Sequence, residues 1–268
     1  MLDTENSIGD PEAPKTSEGQ RGYLTFRDVS FYFPGAKEPA VSHVSFEARP
    51  GETTAIIGST GSGKTALVGL IPRFYDVQEG EVLVDGVNVK DYDRKTLRKK
   101  IGYVPQKALL FKGTIMENIR FGDDSASDER VKEAAAIAQS TDFIEDKPEG
   151  FDSFIAQGGS NVSGGQRQRL AIARAIVRKP EIYVFDDSFS ALDFKTDSAL
   201  RQALARETEN ATVVIVAQRV STIMNADRII VMDEGKVMGI GTHRELLNTC
   251  ETYQEIVRSQ LSEEEMSA

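Results

Sequence analysis

Two short stretches carry side chains that could do chemistry together. GSTGSGKT, residues 58–65, sets glycines around a Lys-Thr pair, and VFDDSFSALD, residues 184–193, places two adjacent carboxylates at the end of an apolar run. The first fits G-x-x-x-x-G-K-[ST], a loop whose glycines let backbone N–H groups close on phosphate oxygens while the next helix turns its positive end to the anion. Gly58, Ser59, Gly61, Ser62, Gly63, Lys64, Thr65 and Ala66 are therefore the candidate nucleotide-binding residues. Lys64 would reach the β- and γ-phosphates and the Thr65 hydroxyl would ligate Mg²⁺, so ATP and Mg²⁺ are the expected cofactors. A glycine-rich turn that only caps a helix is the alternative. Such a loop needs an acid at the end of a neighbouring strand to hold the metal. Ile182 to Phe185 deliver Asp186 to that position, where an unpaired motif would be read as a turn or cap acid.

The elements that must position these groups are legible as periodicity. YLTFRDVSFYF and VSHVSFEA alternate apolar and polar residues between Pro-Gly turns, which predicts antiparallel strands; EVLVDGVNV adds another β segment around Asp85-Gly86. Thr53 to Ile57 runs as a short strand into the glycine loop and then into a helical stretch, TALVGLIPRF. From about 108 to 178 the pattern turns helical, through GTIMENIRFG, SDERVKEAAAIAQSTDFI and SGGQRQRLAIARAIVRK. Apolar strands EIYVFDD, TVVIVAQ and RIIVMDEGKV return around the helix TDSALRQALARETE, which predicts a parallel sheet buried on both faces. Residues 1–21, poor in large apolar side chains, read as a disordered or extended linker, and THRELLNTCETYQEIVRSQLSEEEMSA as helix followed by a solvated acidic tail.

Ser163-Gly164-Gly165-Gln166 opens a helical run. Read locally it is a capping box, with Ser163 at N-cap and Gln166 at N3; the same helix start is also an anion site. With this stretch in view, the sequence resembles the ATP-binding cassette (ABC) family from Tyr23 to about Glu255. The loop GSTGSGKT, Gln106 of YVPQ, the signature NVSGGQRQR, IYVFDD, SALD and VAQRVST with ADRIIVMDEGKV stand in the order that family shows. GTIMENIRFG and GTHREL resemble its exporter branch, multidrug exporters included, and LDTENSI resembles the linker after a transmembrane domain.

The resemblance implies an α/β fold: a P-loop (RecA-like) core with a mixed sheet, an antiparallel β subdomain and an inserted α-helical subdomain at about 108–178, together a nucleotide-binding domain over 22–268 after a linker at 1–21. It implies that Phe33 stacks on adenine, although an edge-strand core residue would look the same. Gln106 would touch Mg²⁺ or the attacking water. Ser163, Gly164, Gly165 and Gln166 would contact the γ-phosphate of ATP held by a partner domain, with Asp193 across the same interface. The chain would then sit at the cytoplasmic face of the membrane, working with the transmembrane domains of an exporter.

Two positions depart from the family pattern. Asp187 stands where hydrolytic members have Glu, and one methylene less sets its oxygens back by roughly 1.5 Å; a misplacement of about 1 Å can cost on the order of 100-fold. Gln218 stands where the family has His, and an amide donates a hydrogen bond but carries no proton near neutral pH. Gln157, just before the signature, replaces a Glu common in exporters. Asp187, Gln218 and Gln106 are thus the candidate catalytic residues, and Thr65, Gln106 and Asp186 the candidate metal ligands. Together the departures resemble the degenerate half of a heterodimeric exporter, whose partner is a second, non-identical nucleotide-binding domain. The alternatives are an ATP-gated dimerisation module and a non-transport ABC ATPase.

Composition narrows the field. A formal net charge of -10 over 268 residues disfavours a general nucleic-acid or acidic-membrane binder, so no nucleic-acid partner is expected. The single cysteine, Cys250, excludes an intrachain disulfide and reads as an inert thiol near a helix end. No apolar run approaches the roughly 20 residues that span a bilayer. His43 and His243 lack metal-ligand spacing.

Overall fold

The computed structural model of the protein describes residues 8–17 and 19–260; most of LDTENSI and the acidic ending after Gln260 lie outside the described residues. The chain opens with β1 (Leu24–Phe31), β2 (Val41–Ala48) and β3 (Thr53–Gly58), then helix α1 (Lys64–Gly69), β4 (Glu79–Val84), β5 (Val87–Asn88), α2 (Arg94–Lys99) and β6 (Ile101–Val104). There follow β7 (Gly113–Thr114), α3 (Ile115–Arg120), α4 (Asp128–Ile137), α5 (Thr141–Glu145), β8 (Phe154–Ile155) and α6 (Gly164–Val177). The last part holds β9 (Ile182–Asp186), α7 (Phe194–Glu207), β10 (Thr212–Val216), α8 (Val220–Ile223), β11 (Arg228–Asp233), β12 (Lys236–Gly241), α9 (His243–Thr249) and α10 (Glu251–Gln260).

These strands build a mixed sheet in the order β12-β11-β3-β10-β9-β6 and an antiparallel sheet in the order β2-β1-β4-β5. In the mixed sheet β11, β3, β10, β9 and β6 run parallel and only β12 is antiparallel. The fold is thus the expected α/β class, with a mixed sheet, an antiparallel sheet and helices.

Alternation along each central strand explains the unbroken apolar runs. Tyr183, Phe185, Val213 and Ile215 face a core shared with α3, α4, α6 and α7, while Ile182, Val184, Val214 and Val216 face a second core closed by α1 and the antiparallel sheet. Both faces are dry, so the strands carry almost no polar residue until β9 reaches Asp186.

Three expected helices are cut shorter by identifiable causes. The stretch after the glycine loop stops at Gly69, before Pro72 and a left-handed Arg73 at φ 54°; the run 128–145 breaks at Gln139, φ 54°. In GTIMENIRFG, Gly113 and Thr114 pair with β8, and the helix starts only behind the Thr114–Glu117 capping box. The described residues ahead of β1 carry no helix or strand and are held by ion pairs from Lys15 to Asp91 and from Asp10 to Arg94.

Candidate functional site

The glycine loop leaves β3 at the C-terminal edge of the parallel strands and closes on its neighbours. Gly58 lies so close to the Met232 carbonyl that a Cβ would sit 2.0 Å from its oxygen; Gly63, at φ 95°, would bring a Cβ to 2.1 Å from the Ala40 oxygen. Only glycine fits either place. Gly235 N–H donates to Ser62 O and the Ser59 hydroxyl donates to Asp233, so the β11–β12 turn pins the loop from outside. Inside it, Lys64 Nζ donates to Gly58 O at 2.9 Å, Ser59 O at 2.6 Å and Ser62 Oγ at 3.2 Å. Desolvation lowers the pKa of this ammonium against the pull of Asp187 and Asp186. Thr65 and Ala66 follow on the first turn of α1.

Across from it, the Asp186 carboxylate accepts from Thr65 Oγ1 at 3.1 Å and from the Tyr103 hydroxyl at 3.0 Å. Burial raises its pKa, with Asp187 adding to the rise and the two hydroxyls and Lys64 opposing it. A carboxylate that is 2% exposed and bonded to neutral hydroxyls fits a divalent cation. Among the described residues no cluster of three or more His, Cys, Asp or Glu side chains could hold a metal. The all-oxygen donors of Asp186 and Thr65 are of the chemical type that suits Mg²⁺.

The three candidate catalytic residues converge on one atom. Asp187 Oδ2 accepts from Gln218 Nε2 at 2.7 Å and from Gln106 Nε2 at 3.1 Å. Asp187 itself turns into the left-handed region at φ 48°, so its side chain leaves the strand in a direction different from that of Asp186. It is 8% exposed and borders a small cleft with Gln218 and Phe194. Gln106 points at the second acid rather than at the Thr65–Asp186 pair.

Phe33 is 41% exposed and meets Phe31 and Tyr75 edge to face, with ring centroids 4.9 and 5.4 Å away. It is therefore a partly exposed aromatic just past the end of β1 and not the edge-strand core residue of the alternative reading. Ser163 caps α6 in the expected box: its hydroxyl accepts from Gln166 N–H at 3.2 Å, and Gln166 Oε1 accepts from Ser163 N–H at 3.0 Å. Gly164 and Gly165 form the first turn, the latter 3.2 Å from the Ala191 oxygen by its virtual Cβ. Asp193 caps α7, and Gln157 Oε1 accepts from Lys112 N–H. His43 pairs with Asp28 and His243 with the Tyr253 hydroxyl, whereas Cys250 is buried at the end of α9.

Tyr103, Asp233 and Gln260 join the site in addition to the residues expected from the sequence. Gln260 Nε2 donates to the Gln218 carbonyl and its Oε1 accepts from Val220 N–H, so the last turn of α10 fixes the loop that carries Gln218. Tyr103 stood in view in YVPQ, three residues before Gln106, and its alternation in a strand was the available signal.

Known proteins are similar to this chain in sequence and fold. The ABC transporter family model matches residues 41–190. An uncharacterized ABC transporter ATP-binding protein of Mycobacterium tuberculosis is 47% identical over 264 residues, covering 97% of this chain and 45% of that protein. The ATP-dependent lipid A-core flippase of Haemophilus influenzae is 41% identical over 247 residues, covering 92% and 42%. The structure of a bacterial Atm1-family ABC exporter with ATP bound superposes with a TM-score of 0.92 at 36% identity, over 97% of this chain and 46% of that one. The chain thus spans less than half the length of these relatives. On this match, with the phosphate loop, strand acid and capped signature helix in place, the chain belongs to the ABC transporter family.

Proposed function

We propose that this chain is the nucleotide-binding domain of an ABC exporter: it binds ATP and Mg²⁺, pairs with a second, non-identical domain, and hydrolyses ATP slowly at its own site. In this reading residues 22–268 form the domain, with a helical subdomain at about 108–178, and residues 1–21 are the linker to transmembrane domains. The chain lies at the cytoplasmic face of the membrane that holds them.

Lys64 and the loop N–H groups bind the phosphates, and Phe33 carries the base. Thr65 and Asp186 would hold Mg²⁺, which would supply positive charge to the phosphate oxygens. Ser163 to Gln166 serve the partner's nucleotide. The observation that carries the slow-site reading is the Gln106–Asp187–Gln218 cluster. A general base must accept a proton from water and pass it on or hold it. Here the carboxylate is shortened by one methylene, and both of its side-chain partners are neutral amides that donate to it and take up no proton. The intact signature leaves the partner's site complete.

The purified chain is expected to bind MgATP and turn it over slowly, with Asp187→Ala leaving that rate nearly unchanged, and to support brisk hydrolysis once a partner domain bearing Glu and His at the two altered positions is added. Brisk ATPase from the chain alone, abolished by Asp187→Ala, would show that Asp187 is an adequate base. Unchanged nucleotide affinity in Lys64→Ala would remove the phosphate-loop assignment itself.

A further inference from the structure

The segment ahead of β1 supplies contacts that this reading does not use. Ile8 joins Phe33, Pro34, Tyr75 and Asp76 in lining a cavity of about 480 Å³, within the range of small-ligand sites. Phe33 and Tyr75 stand edge to face and are partly open, at 41% and 39% exposure. The carboxylate and the amide at this cavity are engaged elsewhere. The Asp76 carboxylate accepts from Arg73 at 2.7 and 3.2 Å, and the Gln78 amide exchanges two hydrogen bonds with the backbone of Tyr32. What the cavity offers a planar ring is therefore two aromatic rings set at 85° to each other, one face and one edge, and the aliphatic side chain of Ile8.

Ile8 is delivered there by a strap. Asp10 Oδ1 accepts from Arg94 N–H at 3.1 Å and from Arg94 Nε at 2.8 Å. Lys15 Nζ donates to Asp91 Oδ2 at 2.8 Å, and its backbone N–H donates to Asp91 O at 2.8 Å. The stretch that receives both anchors is tied in turn to the cavity wall: Arg73 donates to Lys90 O at 3.2 Å, and Lys90 Nζ donates to Val77 O at 2.7 Å. Strap and wall thus share one support.

We propose that Ile8 is a third wall of the base site, held in place by the Asp10–Arg94 and Lys15–Asp91 pairs, so that the segment before β1 sets nucleotide affinity through the base and not through the phosphates. The proposal rests on Phe33 being the base platform of the function proposed above. Asp10, Lys15, Asp91 and Arg94 are positioning residues.

Calorimetric titration of the full chain with MgATP and, separately, with Mg²⁺-tripolyphosphate, which has phosphates but no base, tests it. Ile8→Ser is expected to weaken ATP binding about fivefold, the scale of one exposed-to-buried aliphatic contact, and to leave tripolyphosphate binding unchanged. Ile8→Leu keeps the wild-type affinity for both, and Arg94→Ala shows a smaller loss confined to ATP. Unaltered ATP affinity in Ile8→Ser, or parallel losses for ATP and tripolyphosphate, overturns the proposal. Lys64→Ala separates the two readings: if it abolishes both ligands while Ile8→Ser changes neither, only the strap is wrong, and if it changes neither ligand, the phosphate-loop reading falls first.

Discussion

Asp186 and Asp187 are consecutive residues at one strand end, yet they anchor two corners built from opposite parts. Asp186 stays in the extended backbone of β9, and hydroxyls of Thr65 and Tyr103 each take one of its oxygens. Asp187 leaves the strand at φ 48°, a conformation that costs a non-glycine residue about 1 kcal/mol, and two amides share a single one of its oxygens. The first corner holds a buried charge that a cation would neutralise. The second fixes a carboxylate in place while offering it no group that can take a proton. The difference teaches that two identical side chains, one residue apart, are given opposite surroundings by what their neighbours can donate: hydroxyls around the first and amides around the second.

The largest expected effect breaks the metal corner. Asp186→Asn keeps the shape but removes the charge, and losing one partner of a desolvated charge pair costs about 2–5 kcal/mol. Binding of Mn²⁺ as a paramagnetic probe, in the presence of ATP, should weaken by on the order of 100-fold. ATP binding without metal should change little, because Lys64 and the loop amides are untouched. Equal loss with and without metal would mean that Asp186 supports the loop and does not hold the ion.

A smaller effect, of opposite sign, repairs the water corner. Asp187→Glu with Gln218→His restores reach and a titratable neighbour, and in a sandwich with the partner domain hydrolysis at this site should rise about tenfold or more, by the usual worth of a general base. Gln218→His alone should give little, since Asp187 would still fall short. No gain from the double substitution would place the limit elsewhere, for instance in the Gln106 contact or in the Gln260 clamp on the Gln218 loop.

The two corners were unequally legible in the sequence, and the reason is the range of their contacts. The glycine loop, Asp186 after four apolar residues, and the Ser163–Gln166 box are local patterns, each fixed by residues within one turn or one strand. The unbroken apolar runs in EIYVFDD and TVVIVAQ likewise announce strands covered on both faces. Tyr103 lies 83 positions from the acid it bonds, and Gln260 lies 42 from Gln218; no periodicity joins such pairs. Asp187 could be read as short by a methylene, but not as the single acceptor shared by Gln106 and Gln218, because that depends on where β6, β9 and β10 stand side by side. The segment before β1 looked like an unattached linker from its composition, since the ion pairs that hold it are made with residues near 91–94.

The smallest expected effect is on stability, and its sign separates a site kept for function from one kept for the fold. Burial raises the Asp186 pKa above its value in the unfolded chain, although Tyr103 and Thr65 oppose the rise. Folding therefore favours the protonated form. The contribution of this group to stability is fully present below the unfolded value, near 3.9, and is lost as pH rises through the elevated folded value. At neutral pH and without metal, Asp186→Asn should then raise the melting temperature. The gain should shrink as pH falls toward 4. Tyr103→Phe should act in the other direction, because it removes a donor that stabilises the ionised acid while leaving its desolvation in place. Adding Mg²⁺ and ATP should stabilise the wild-type chain more than Asp186→Asn and so cancel the advantage of the variant. A chain destabilised by Asp186→Asn at neutral pH would mean that the hydroxyl bonds outweigh the buried charge, and the metal corner would then be a structural network that a cation merely visits.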